Sequence, residues 1–331
     1  MRRVIFLVVV CFLLTACNVR NSGNIGNIFV KKVNNLDSYY LAGDLVLRNN
    51  DEVYTYQVEV SFEKKSNYKV LLTNKANNST QVILKNSDGV YILTPALNRS
   101  FKFQSDWPYN NSQIYLLKSL ANDINNDDKL KLESTDKYNV LITSVNYPNN
   151  KDLTSQKIIL DKNLELKKVT VYDKDKVSVM EFKVKKCDYS PSFNEDYFAL
   201  DNVMKTFSDN NNLVKETMTL EDTIYPLVLP TGTTLVSEEK IKKAGGERIL
   251  MTFEGDSPFL LVEETANPEE EFTVIPTNGE PYQLMDTLGV MTENSLNWTS
   301  NGIEYYLVSD VLSSTDLVDI AQSIYNLPAM K

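Results

Sequence analysis

The chain has 331 residues, 42% hydrophobic and 10% aromatic, with a formal net charge of −10; that is apolar material enough for a folded core and excludes a disordered chain. It contains no histidine, which removes Ser-His-Asp and Cys-His catalysis and the usual zinc sites, because no other side chain is a neutral base near pH 7 without being perturbed. Charge is uneven: residues 17–223 carry 27 basic and 27 acidic side chains while residues 224–331 carry 5 and 17, which reads either as a solvated acidic face or as a surface that suits a basic partner and is repelled by anionic headgroups, and disfavours nucleic acid either way.

In chain order, Arg2 and Arg3 precede an uncharged apolar run from Val4 to Leu14, and Leu14-Thr15-Ala16 lead into Cys17. The run is shorter than the roughly 20 residues of a bilayer span. A basic head, an apolar stretch and small residues before a cysteine read as a bacterial lipoprotein signal over residues 1–16. The mature chain is then expected to begin at Cys17, acylated there and held at the extracytoplasmic face of the cell membrane. Cys11 leaves with the signal, so Cys187 is the one remaining thiol and no intramolecular disulfide can form. Residues 17–27, rich in Asn, Gly and Ser, read as a flexible tether.

Ile25, Phe29, Val33, Leu36 and Tyr40 recur at helical spacing, which predicts an amphipathic helix ending near Ala42-Gly43. Tyr54, Tyr56, Val58, Val60 and Phe62 then alternate with polar residues, the pattern of a strand with one buried face. Further strands are expected at 68–72, 81–84, 90–93, 101–103, 139–145, 156–160, 166–172 and 177–184. Asn86-Ser87-Asp88-Gly89 and Asp173-Lys174-Asp175-Lys176 serve as hairpin turns. Residues 113–124 form the one helix between the two groups of strands. Residues 202–223 read as a linker. From residue 224 a second, mostly β unit carries short apolar stretches at 249–253, 259–262 and 305–308. It closes with a helix whose start, Ser313 with Asp316, has capping-box spacing. The fold class is α+β.

The stretch Leu84 to Pro95, with its Asp88-Gly89 turn, short strand and proline stop, resembles the lipoprotein carrier and receptor (LolA/LolB/RseB-like) superfamily. Tyr39 to Leu47, Tyr54 to Phe62 and Tyr197 to Leu200 fit the same layout, so the resemblance covers about residues 28–201. The segment from Pro226 to the last helix is similar to the C-terminal domain of periplasmic regulators that bind anti-sigma factors. Clostridial germination lipoproteins resemble the same carrier fold. The resemblance implies an antiparallel half-barrel over 28–201 with helices on its concave face, and a smaller acidic domain over 224–331. It also implies either a cavity for acyl chains or a protein-binding scaffold, with a cell-wall hydrolase or a membrane regulator as partner.

Chemistry is sparse. Ser66-x-x-Lys69, Ser237-x-x-Lys240 and Ser208-Asp209-Asn210 match penicillin-binding motifs, but a Lys-Thr-Gly element is missing and Ser66 lies between strands. Asn125 to Asp128 lacks the glycine and glutamate of a calcium loop, and there is no phosphate loop. The reading is therefore a non-enzymatic binding lipoprotein without metal or cofactor, a scaffold or regulator of an envelope or spore-wall protein; the alternative is a carrier or sensor of acyl chains. Tyr54, Tyr56, Val58, Val60 and Phe62 read either as packed core or as the candidate cavity wall. Trp107, Tyr109, Glu263, Glu264, Glu269, Glu270 and Glu271 are the candidate partner surface.

Overall fold

A computed structural model describes residues 22–49, 52–64, 66–108, 112–209, 220, 222–243 and 246–324. Residues 1–16, Cys17 and Tyr109 lie outside the described residues.

Helix α1 (Ser22–Asn34) leads into a meander of β1 (Ser38–Asn49), β2 (Glu52–Glu63), β3 (Asn67–Asn74), β4 (Thr80–Asn86), β5 (Gly89–Thr94) and β6 (Arg99–Phe103). Helix α2 (Leu117–Asn125) connects it to a second meander, β7 (Lys131–Ser134), β8 (Tyr138–Ser144), β9 (Leu153–Asp161), β10 (Leu166–Asp173) and β11 (Ser178–Asp188). Strand β11 pairs antiparallel with β1 and fuses the two meanders into one sheet. Helix α3 (Leu200–Asp209) follows. The second unit comprises β12 (Thr233–Lys243), β13 (Gly246–Gly255), β14 (Phe259–Thr265), β15 (Thr273–Thr277), β16 (Glu280–Gln283), β17 (Leu288–Met291), β18 (Ser295–Ser300), β19 (Ile303–Val308) and α4 (Ser314–Gln322).

Strand β15 leaves its neighbours and pairs parallel with β6. It completes a 12-stranded sheet whose ends, β15 and β7, do not meet, so the half-barrel stays open. The remaining strands form a 7-stranded antiparallel sheet in the order β12-β13-β14-β19-β18-β17-β16. The α+β class and the two hairpin turns expected from the sequence are present. So is the capping box: Ser313 accepts from the Asp316 N–H while the Asp316 carboxylate accepts from the Ser313 N–H.

Alternation sorts the large sheet's side chains. Tyr39, Leu41, Leu45 and Leu47 of β1 and Tyr56, Val58, Val60 and Phe62 of β2 face the same core as Phe29 and Val33 of α1 and Leu117, Leu120 and Ile124 of α2. On the opposite face Val82, Leu84, Tyr91 and Leu93 meet Phe198, Val203 and Met204. Strands β4 and β5 are thus buried on both sides.

The structure corrects four local expectations. The first helix begins at Ser22, inside the expected tether, and stops at Asn34 instead of running to Ala42. Leu36 and Tyr40 are half-buried, whereas Tyr39 and Leu41 are fully buried, so period two wins over the helical spacing that happened to continue through the turn. Gly43 lies mid-strand at a β-bulge against β11, where a Cβ would run into the Lys183 carbonyl oxygen. The helix expected at 113–124 begins at Leu117, with Ile114, Tyr115 and Leu116 buried in the turn before it. Residues 202–209, read as linker, are helical because Val203 and Met204 have the outer face of β4 and β5 to cover.

A Gly43→Val substitution forces a side chain into that bulge and is expected to cost about 1–3 kcal/mol, the usual range for overpacking; a urea unfolding curve measures it.

Candidate functional site

The two sheets meet where the loop between β16 and β17 enters the helix-covered face of the large sheet. The loop and the first residue of β17, Leu284-Met285-Asp286-Thr287-Leu288, are apolar at the positions that penetrate. Met285, Leu288 and Val290 belong to the large core, while Leu284 and Met291 belong to the core of the second unit. Polar side chains of the large sheet hold the loop's backbone. Tyr56 Oη donates to the Met285 carbonyl at 2.9 Å, and Asn74 Nδ2 donates to that of Asp286 at 3.4 Å. Gln81 acts as a strand in miniature: its Oε1 accepts from the Leu288 N–H at 2.6 Å and the Thr287 hydroxyl at 2.9 Å, and its Nε2 donates to the Leu288 carbonyl at 3.3 Å. Gln81 is buried, so each of these bonds removes a desolvation cost that would otherwise fall on the loop.

Beside the loop a cavity of about 90 Å³ remains, walled by Tyr115, Tyr147, Leu153 and Met180 of the first unit and by Tyr282 and Met285 of the second. None of Tyr54, Tyr56, Val58, Val60 and Phe62 lines it. Tyr56, Val58, Val60 and Phe62 are buried core residues and Tyr54 is half-buried at the core's edge. Burial and the nearby Asp286 carboxylate push the Tyr56 phenol well above its ordinary pKa.

The expected partner surface divides. Trp107 is fully buried, edge-on to Tyr68 with ring centroids 5.8 Å apart, and lines the cavity. Glu263 points inward from β14 and is 0% exposed; its Oε2 accepts from the Ile224 N–H at 3.0 Å and its Oε1 has no protein partner among the described residues. Both are therefore corrections: strand alternation turns Glu263 into the sheet's covered face, and aromatic packing buries Trp107. Glu264, one residue on, faces outward into ion pairs with Lys243 and Arg248, which hold its carboxyl below the usual range. Glu269, Glu270 and Glu271 are exposed beside the first unit, where Glu269 N donates to the Leu97 carbonyl at 3.0 Å. Gln81, Asn74 and the 284–288 loop were not singled out from sequence, since no local spacing tells a buried glutamine from a solvated one.

Gln81→Ala leaves the Leu288 amide without its acceptor and removes the three hydrogen bonds that hold the loop, along with a long one to Thr94 Oγ1, an expected loss of about 2–3 kcal/mol; hydrogen exchange at the Leu288 amide should quicken. Burial pushes the Glu263 carboxyl up to about 7 from an ordinary 4.5. Between those values the folded chain keeps a proton that the unfolded chain has lost, so stability falls as pH rises from 4.5 to 7 and is level above. Glu263→Gln should therefore gain up to about 3 kcal/mol at pH 8 and almost nothing at pH 4.5, as urea melts at the two pH values would register.

No protein-family model matches the chain. The sporulation protein YdcC of Bacillus subtilis (strain 168) is 33% identical over 322 residues, covering 94% of this chain and 93% of that one. Among solved structures, the Pseudomonas aeruginosa MucA/MucB complex aligns with 92% of this chain and 98% of that chain at 14% identity and a TM-score of 0.34. A LolA superfamily protein from Nitrosomonas europaea aligns with 54% and 98% at 12% identity and a TM-score of 0.31. The GerS lipoprotein complex with the CwlD amidase of Clostridioides difficile aligns over 52% and 94% at 14% identity and a TM-score of 0.20. A LolA superfamily protein and a lipoprotein are thus among these neighbours, at scores that carry no inference about what this chain binds. Near full-length identity at 33% is the closer tie, and by it the chain belongs to the YdcC family of sporulation proteins.

Proposed function

We propose that this protein is a lipid-anchored, extracytoplasmic binding protein of the sporulating cell's envelope, acting as scaffold or regulator of a protein partner without chemistry of its own. The observation that supports it is the filled face of the large sheet. Helices α1 and α2 and the 284–288 loop cover it and leave a cavity of about 90 Å³, against the roughly 300 Å³ at which small-molecule pockets begin; the hollow of about 350 Å³ that adjoins it at Pro148 and Asn149 is more open and is lined by Glu280, Met291 and Glu293. An acyl chain would have to displace the loop. The outer surface is then the working one, with Glu269 to Glu271 exposed on it toward a basic partner. A cell-wall hydrolase or a membrane regulator is the class of partner implied by the sequence resemblance. Cys17 is the proposed point of anchorage.

One observation favours the second reading, a carrier of acyl chains: Trp107 Nε1, Tyr147 Oη and Gln283 Oε1 are buried polar atoms without protein partners among the described residues, on side chains that line the cavity, where the polar head of an acyl ligand would satisfy them. Native mass spectrometry of the detergent-extracted chain after incubation with palmitate and with phospholipid vesicles separates the two. No retained adduct is expected, and one of acyl-chain mass beyond the anchor itself would replace the scaffold reading with the carrier. Cys17→Ala should move the protein from the membrane fraction to the soluble fraction; unchanged fractionation would refute the anchor.

A further inference from the structure

Strand β12 ends the 7-stranded sheet: one edge is laddered to β13, and no described strand pairs with the other. It is 11 residues long, and beyond Thr233 every residue except the half-buried Ser237 is exposed. Val236 is 51% exposed, Ile241 43% and Leu235 37%. Natural sheets blunt such edges by keeping them short, by placing proline on them, or by charge. β12 is long and has no proline, and its charges are of both signs in a particular order: Glu238 and Glu239, then Lys240, Lys242 and Lys243.

A run of one sign would repel a second copy of itself. This order does the opposite in an antiparallel pair, where a two-fold axis sets the acidic half of each strand against the basic half of the other. Both copies offer the same alternate N–H and C=O groups outward, so a ladder can form only in registers that oppose residues of like parity. With the axis through Lys240, Glu238 of each copy stands opposite Lys242 of the other, and Glu239 stands opposite Ile241 with Lys243 on its diagonal. The two Lys240 side chains that meet on the axis are each tempered by their own Glu238, 3.7 Å away. Within the chain Glu239 and Lys242 have no ion pair among the described residues. Four of the five basic side chains in residues 224–331 lie on β12 and β13 (Lys240, Lys242, Lys243 and Arg248), so the basic character of this acidic unit is concentrated beside the open edge.

We propose that the occupant of this edge is a second copy of the chain, joined through β12 in an isologous antiparallel pair that continues the sheet across both molecules. A uniformly acidic or basic strand would satisfy one half of β12 and oppose the other. The same strand rotated by the two-fold satisfies both.

The test uses the full chain in detergent, with mass read by light scattering. The wild type is expected to be a dimer. Glu238→Lys with Glu239→Lys should weaken dimerisation roughly tenfold or more, as should Lys240→Glu with Lys242→Glu, while an equimolar mixture of the two variants should pair again, each with its opposite. Glu239, Lys240 and Lys242 are exposed, while the Glu238 carboxylate accepts from the Thr223 and Tyr225 hydroxyls, so an unchanged circular dichroism spectrum checks that the variants fold. In a Cys187→Ser background, Lys240→Cys should give a disulfide-linked dimer under mild oxidation and Lys205→Cys, on exposed α3, should not. A monomeric wild type, charge variants that dimerise as before, a mixture that stays monomeric, or β12 crosslinked only to a different protein would each overturn the proposal.

Discussion

One geometric constraint governs the structure: the apolar face of the large sheet is wider than the helices that lie on it. Eleven antiparallel strands at about 4.8 Å spacing span about 50 Å, whereas α1, with 13 residues, and α2, with 9, have lengths of about 20 and 14 Å at 1.5 Å per residue. Apolar surface left bare at that scale would draw in another molecule or unfold the edge. The chain supplies the missing cover from more than 200 residues further on. Met285, Leu288 and Val290 complete the core, and Tyr56, Asn74 and Gln81 satisfy the backbone that carries them.

That solution ties the two units together at more than one point. The Arg99 guanidinium forks onto both Glu304 carboxylate oxygens at 3.1 Å, from β6 to β19. Strand β15 covers the β6 edge in parallel, a pairing that requires a crossover and is supplied here by the second unit looping across. With five residues including Pro276, β15 is itself a short, blunted edge. Loosening the 284–288 loop would therefore disturb two cores at once.

Charge, too, is decided by folding more than by counting. The excess acidity of residues 224–331 does not make one acidic face. Glu263 is inside the protein, Glu264 is neutralised by Lys243 and Arg248, and Glu304 is spent on Arg99. What reaches solvent as an acidic run is Glu269 to Glu271, on the crossing that leads to β15. The basic side chains of the unit collect on the β12 and β13 hairpin instead. Burial of Glu263 also separates its protonation from that of the surface carboxylates, because desolvation opposes the charged form.

The sequence alone determined what depends on near neighbours: the alternation of β2, the turns at Asn86–Gly89 and Asp173–Lys176, the capping box at Ser313, the absence of histidine chemistry and the family resemblance. It failed where two periodicities overlapped, at Leu36 to Gly43, and where a polar flank hid a helix, at Leu200 to Asp209. Only the tertiary structure decided that Trp107 and Glu263 are interior, that Gln81 holds a loop two hundred residues away, and that the second unit fills the first one's face. Those outcomes depend on which surfaces compete for the same cover, a property of the assembled sheet that no local window of residues contains.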